Sequence, residues 1–363
     1  MAFVMLASGL AGCYFMKTPV NPDYDASKAH HRPDGFENRY MARMQRPKGS
    51  NVFKWMIKRR FEDRPQPAPN AIPTMDPDIA LIQDKGLATR VSWVGHSTVL
   101  LQLDGVNILT DPIWSNRASP FKRMGPKRHQ PPGIPFDQLP HIDLVLISHN
   151  HYDHLDEATV QRLMKQPGGP PRFIVPLGVN YWFREEIKGA IIQGEGQNVF
   201  ALDWDQTTEF MGKTAPLKIE LLAVQHWSAR GLGDRYETLW GSYAVLHPKF
   251  RFWFSGDLGY SKDTKDIGAK IGGFDLAAIA IGAYNPPEIM KRSHTNPAEA
   301  VQVRQDVKAK QAFGIHWGTF AMADEPLDQP PQFLAKARAD AGISEDQFFV
   351  FKHGQTMVFE GKN

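Results

Sequence analysis

The run Leu144-Val145-Leu146-Ile147-Ser148-His149-Asn150-His151-Tyr152-Asp153-His154 sets four apolar residues directly against three imidazoles and a carboxylate. A short continuous apolar run predicts a strand buried on both faces, as in a parallel sheet covered by helices. Residues two apart along an extended chain point to the same side, so His149, His151 and Asp153 converge. His154 turns in as the chain leaves the strand for a helix. Imidazoles with a carboxylate are the ligand set that suits zinc. Packing alone gives no reason for such a cluster at the mouth of a buried strand, so the stretch reads as half of a metal site.

One short turn cannot direct all four groups at one ion, so further ligands are expected elsewhere. Three later segments repeat the pattern of an apolar strand that ends in a ligand type. Leu221-Leu222-Ala223-Val224 runs into Gln225-His226-Trp227, Phe252-Trp253-Phe254 into Ser255-Gly256-Asp257, and Ala312-Phe313-Gly314-Ile315 into His316-Trp317-Gly318. Taken singly, each is more often a turn or capping residue. Together they supply what a dinuclear site lacks. Asp111, just before Pro112, is placed to accept a hydrogen bond from a ligand imidazole and fix its tautomer.

Outward from this cluster, strands are expected over 90–93, 99–103, 107–109, 144–147, 173–175, 217–224, 243–246, 250–254, 276–281, 312–315 and 348–351. Helices are expected after an Asp156 N-cap and over 177–187, 297–308 and 331–341. Alternating strands and helices over about 270 residues predict one large layered α/β domain, 86–363, with sheets inside and helices outside. Residues 14–85 read as a proline- and charge-rich N-terminal extension. Within it, the aromatic and basic segment 52–61 fits a helix that either lies on a membrane surface or packs Val52, Trp55 and Met56 on the domain.

These residues resemble the metallo-β-lactamase superfamily, whose signature is His-x-His-x-Asp-His. They resemble in particular its N-acylphosphatidylethanolamine-hydrolysing phospholipase D family. The matching strings include Trp93-Val94-Gly95-His96-Ser97-Thr98-Val99, Leu109-Thr110-Asp111-Pro112, Met124-Gly125-Pro126-Lys127-Arg128, Leu239-Trp240-Gly241-Ser242 and Ile315-His316-Trp317-Gly318-Thr319-Phe320. The resemblance implies a four-layer αβ/βα sandwich with two Zn2+ at one edge. One zinc would be held by His149, His151 and His226, and the other by Asp153, His154 and His316, with Asp257 bridging. It implies a phosphodiesterase in which a hydroxide shared by the metals attacks phosphorus, Asp153 also orients the water, and phosphatidic acid and an N-acylethanolamine leave. His294 matches a family position for phosphate contact or leaving-group assistance, whereas His96 reads as structural. Lys122, Arg123, Lys127 and Arg128 form a basic run for phospholipid head groups, with Lys127 and Arg128 as the substrate-binding candidates. The alternatives are a superfamily hydrolase of a lactone or soluble phosphodiester, and a non-catalytic envelope lipoprotein.

Bulk properties narrow the partners. The 363 residues carry a net charge of +3, which suits an anionic lipid and falls short of a nucleic-acid signature. The single cysteine, Cys13, excludes an internal disulfide and a cysteine metal site. It follows an apolar stretch too short to span a bilayer, and Leu10-Ala11-Gly12-Cys13 resembles a bacterial lipobox. Residues 1–13 are therefore expected to be a lipoprotein signal peptide, with lipidated Cys13 holding the protein at the cell-envelope membrane. Without that processing the expected location is the cytoplasm.

Overall fold

The computed structural model describes residues 20–42, 54–55, 57–59, 67, 71–231 and 233–360. The lipobox at residues 10–13 lies outside them. A hairpin of β1 (His31–Arg32) and β2 (Gly35–Phe36) precedes two seven-stranded sheets. The first contains β3 (Thr89–Gly95), β4 (Thr98–Leu103), β5 (Val106–Thr110), β6 (Leu144–Leu146), β7 (Arg172–Pro176) and β8 (Val199–Leu202) in sequence order. The second contains β9 (Thr207–Met211), β10 (Pro216–Leu222), β11 (Ser242–His247), β12 (Phe250–Phe254), β13 (Phe274–Ala280), β14 (Ala309–Ile315) and β15 (Phe348–Phe349). The chain then returns as β16 (Thr356–Phe359), antiparallel to β3, and closes the first sheet.

Side-chain alternation explains the layers. Leu144 and Leu146 point into the core shared with the second sheet, while Val145 and Ile147 point into a separate outer core. There they meet Val160 and Leu163 of α1 (Glu157–Leu163) and Val179 and Phe183 of α2 (Val179–Glu186). The second sheet is covered in the same way by α3 (Asp263–Ile271), α4 (Pro297–Asp306) and α5 (Gln329–Ala341), which contribute Ile267, Val303 and Leu334 to the core. Helix, sheet, sheet and helix make the expected four-layer αβ/βα sandwich. Strands β5 to β8 and β12 to β15 run parallel, so their C-terminal ends gather at one edge, where parallel sheets place their binding loops.

The N-terminal extension is docked on this domain. Phe36 is fully buried in the inter-sheet core. Asp203 accepts from Lys28, His30 (2.7 Å) and His31 (2.9 Å). Trp55 Nε1 donates to Asp324 Oδ2 at 2.6 Å, and Arg59 donates to the carbonyls of Ala321, Met322 and Ala323 while covering the Trp55 ring. Of the two readings of segment 52–61, the Trp55 contact agrees with packing on the domain, Arg59 is bonded rather than solvated, and Val52 and Met56 lie outside the described residues. Asp156 stands at the expected N-cap position, but its side chain is used elsewhere. It precedes α1 without a side-chain cap and instead accepts from the Trp114 and Ser115 backbones, Ser115 Oγ and Thr159 Oγ1.

Candidate metal centre

Ile147 N–H pairs with Ile174 O as β6 ends, and the chain enters a turn in which the amides of His154 and Leu155 donate to His151 O. Behind the turn, Asp111 is fully buried. Its Oδ1 accepts from Ser148 N–H (2.7 Å), and its Oδ2 accepts from Ser148 Oγ (2.5 Å) and His154 Nδ1 (2.7 Å). This fixes the His154 proton on Nδ1 and frees Nε2 to point inward. From the second sheet, Gly256 lets β12 end close to the loop. A Cβ there would meet Ser148 Cβ at 2.7 Å, and its φ of +55° lies in the left-handed region.

The ligand atoms form two adjoining groups. His149 Nε2, His151 Nδ1 and His226 Nε2 make one, with His151 Nδ1 at 2.8 Å from His149 and 3.4 Å from His226. Asp153 Oδ2 makes the other with His154 Nε2 (3.1 Å) and His316 Nε2 (3.4 Å). Asp257 Oδ2 lies between them, 3.2 Å from His154, 3.2 Å from His316 and 3.9 Å from His226. His294 Nδ1 stands 3.7 Å from the same oxygen, with its side chain 15% exposed. The structure thus brings together all seven candidate ligands and His294.

The residues fit divalent cations. Four-coordinate ions with bonds of about 2.0–2.2 Å space their ligand atoms roughly 3.3–3.6 Å apart, and the imidazole–carboxylate edges here run from 3.1 to 3.9 Å around that spacing. His154 Nε2, His316 Nε2 and Asp257 Oδ1 are buried without a hydrogen-bond partner, although carboxylate oxygens lie close to both imidazoles. Buried polar atoms are otherwise almost always satisfied, so these are aimed at something else. Charge agrees. Burial pulls the His149 and His226 imidazoles well below their ordinary range, leaving them neutral as ligands must be. Burial pushes the Asp153 and Asp257 carboxyls up, but the surrounding imidazoles outweigh it and hold both well down, in the ionised form. A further trio, His30, His31 and Asp203, already has the Lys28 ammonium as its cation and reads as a latch.

Two supporting residues escaped the sequence reading. Asn38, from the extension, accepts from His226 N–H (2.9 Å) and donates to His226 O (3.0 Å). Nothing local marks that contact, since 188 residues separate the pair. His96, read as structural, places Nε2 at 2.8 Å from Asp153 Oδ2. A signal did exist, because His96 follows β3 just as the ligand residues follow their strands. Arg128 corrects the expectation for the basic run. It is 8% exposed, donates to Ile113 O and Ser115 O, and lies over the Phe320 ring, so it braces the loop rather than meeting head groups. Phe121, Lys122, Arg123, Met124 and Lys127 are exposed. Phe121 and Lys122 line a cavity of about 1370 Å3 that reaches Tyr152, Trp182, Arg230 and Asn150 beside the metal-type turn.

The family model described as the beta-lactamase superfamily domain matches residues 106–317. The chain is 42% identical over 252 residues to N-acyl-phosphatidylethanolamine-hydrolyzing phospholipase D 1 of Caenorhabditis elegans, covering 69% of each chain. The chain belongs to the metallo-β-lactamase superfamily, in this phospholipase D family. The mitochondrial N-acyl-phosphatidylethanolamine-hydrolyzing phospholipase D of Saccharomyces cerevisiae is 31% identical over 272 residues, which cover 74% of this chain and 56% of the yeast protein. Igni18, a metallo hydrolase from Ignicoccus hospitalis, shares the fold with a TM-score of 0.54 at 18% identity, over 76% of this chain and 100% of that one. The family, with the His/Asp clusters, identifies a hydrolase with a divalent-metal site.

Proposed function

We propose that this hydrolase is a phospholipase D-type phosphodiesterase that cleaves N-acylphosphatidylethanolamine-like lipids, with two zinc ions as its cofactor. The observation that carries the reading is the place of Asp257 Oδ2 within 3.9 Å of imidazoles from both ligand groups. One ion would be held by His149, His151 and His226 and the other by Asp153, His154 and His316, with the Asp257 carboxylate within reach of both groups. Such a pair makes water a nucleophile at neutral pH and neutralises a phosphodiester's charge. The chain's own groups do the positioning. Asp153 orients the water towards phosphorus, and His294, on the partly exposed side, hydrogen-bonds the phosphoryl or leaving oxygen. Water adds to phosphorus as the bond to the N-acylethanolamine oxygen breaks, leaving phosphatidic acid. The exposed Phe121–Met124 loop suits contact with the lipid surface.

The test is product analysis on defined lipids with metal-loaded and chelator-stripped protein. Release of N-acylethanolamine and phosphatidic acid only by the loaded protein is the expected result. Turnover of a soluble ester or lactone with none of the lipid would assign another superfamily reaction. An Asp257→Asn variant of undiminished activity would remove the two-metal basis.

A further inference from the structure

His96 is bound into the centre from two directions. Its backbone is left-handed, with φ of +53°, a conformation that is strained for most side chains and that asparagine tolerates best among non-glycine residues. Its N–H donates to Thr319 Oγ1 (2.8 Å), and its carbonyl accepts from Trp93 Nε1 (3.0 Å) and from the amide of His316 (3.0 Å). His316 is itself left-handed, with φ of +61°. Two left-handed residues, one a candidate ligand and the other in contact with one, are thus tied back to back. Strain kept by such surroundings marks a position the site requires.

The side chain has one polar contact. Its Nε2 lies 2.8 Å from Asp153 Oδ2, whereas its Nδ1 is buried without a hydrogen-bond partner. An ionised carboxylate can only accept, so the imidazole carries its proton on Nε2 and leaves Nδ1 bare. The ring packs 4.1 Å from the His316 ring and edge-on to Phe320 at 5.2 Å, which leaves it no room to swing away. The 2.8 Å contact is a hydrogen-bond distance, shorter than the 3.1 and 3.4 Å that separate the same oxygen from His154 and His316. The oxygen has one lone pair for a cation and another for a donor.

We propose that His96 is the positioning residue of Asp153, a dedicated N–H donor that aims its Oδ2 at the space shared with His154 and His316. The proposal rests on the two-metal reading for Asp153 as a ligand. Outer donors of this kind typically govern metal affinity or activity by about 10- to 100-fold.

The test compares the full-length wild type with His96→Asn and His96→Gln, each stripped and reloaded with Co2+. Asparagine keeps the left-handed backbone but falls short of Asp153, and glutamine restores an N–H donor at longer reach. Metal bound per chain, chelator competition, the Co2+ absorption spectrum, kcat and KM are measured. In His96→Asn, affinity for the more weakly held ion and kcat should each fall about 10- to 100-fold, with KM little changed. His96→Gln should recover most of both and the wild-type spectrum. Unchanged metal affinity and kcat in His96→Asn overturn the proposal. Loss of one whole ion in both variants overturns it too, and makes His96 a ligand. A wild type that takes up no metal defeats the two-metal reading itself, whereas a wild type that binds two ions beside an unaffected variant defeats only the role of His96.

Discussion

The Asp111 carboxylate shows how much depends on one proton. It holds the His154 tautomer through Nδ1 and the loop through Ser148. In Asp111→Asn an amide N–H would face the imidazole N–H or force the flip of one of them. Metal affinity or activity should drop about 10- to 100-fold while the fold persists. Titration of bound metal with a chelator checks this, and an unaltered affinity would show that the tautomer is set elsewhere. At this scale the candidate ligands were legible because each closes an apolar strand, a pattern of period and composition that survives in one dimension. Asn38 was not legible, since an asparagine that pinches a distant backbone has no sequence period.

Elements were readable where both faces are buried and obscure where they are not. β13 and β14 announce themselves by their apolar runs, whereas β9, Thr207–Met211, has no buried residue and lies at the sheet edge. α3 was missed because its glycine and charges mask it. A Cβ on Gly268 would come within 1.9 Å of Asp306 O, so close helix packing chose the glycine. The loop between β5 and β6 was legible as basic but not as to which cations reach solvent. Arg128 turns inward, while Phe121 and Met124 are 60% and 64% exposed beside Lys122 and Arg123. Apolar tips flanked by cations fit an anionic bilayer interface. A Phe121→Ala, Met124→Ala double variant should bind phosphatidylglycerol-containing vesicles at least about tenfold more weakly, since full burial of even one such side chain contributes about 1.5–3 kcal/mol and about 1.4 kcal/mol is tenfold. Equal sedimentation of both proteins with the vesicles would rule the loop out as the contact.

For the whole molecule, the described residues of the extension are part of the scaffold. Its hairpin is buried in the inter-sheet core, Asn38 holds a candidate ligand, and Lys28, His30 and His31 converge on Asp203 across more than 170 residues. Composition read that region as loosely patterned because its order comes from contacts with distant strands, not from its own periodicity. The latch makes docking dependent on pH. Burial pushes the Asp203 carboxyl up, but hydrogen bonds from His30 and Lys28 and the nearby imidazole charges outweigh it and hold the group far below the usual range. Asp23, close enough to be felt, opposes them weakly. A folded-state pKa depressed in this way contributes stability that is complete above the unfolded value of about 3.9 and is lost as pH falls below it towards the folded value. Removing the carboxylate, in Asp203→Asn, should cost about 2–4 kcal/mol at pH 7, less than the roughly 3–5 kcal/mol for breaking a fully buried pair because the Lys28 side chain is 34% exposed, and should flatten the loss of stability below about pH 4. Denaturant unfolding at a series of pH values measures both effects. Parallel wild-type and variant curves through that acid range would mean that the extension is held by its apolar contacts alone.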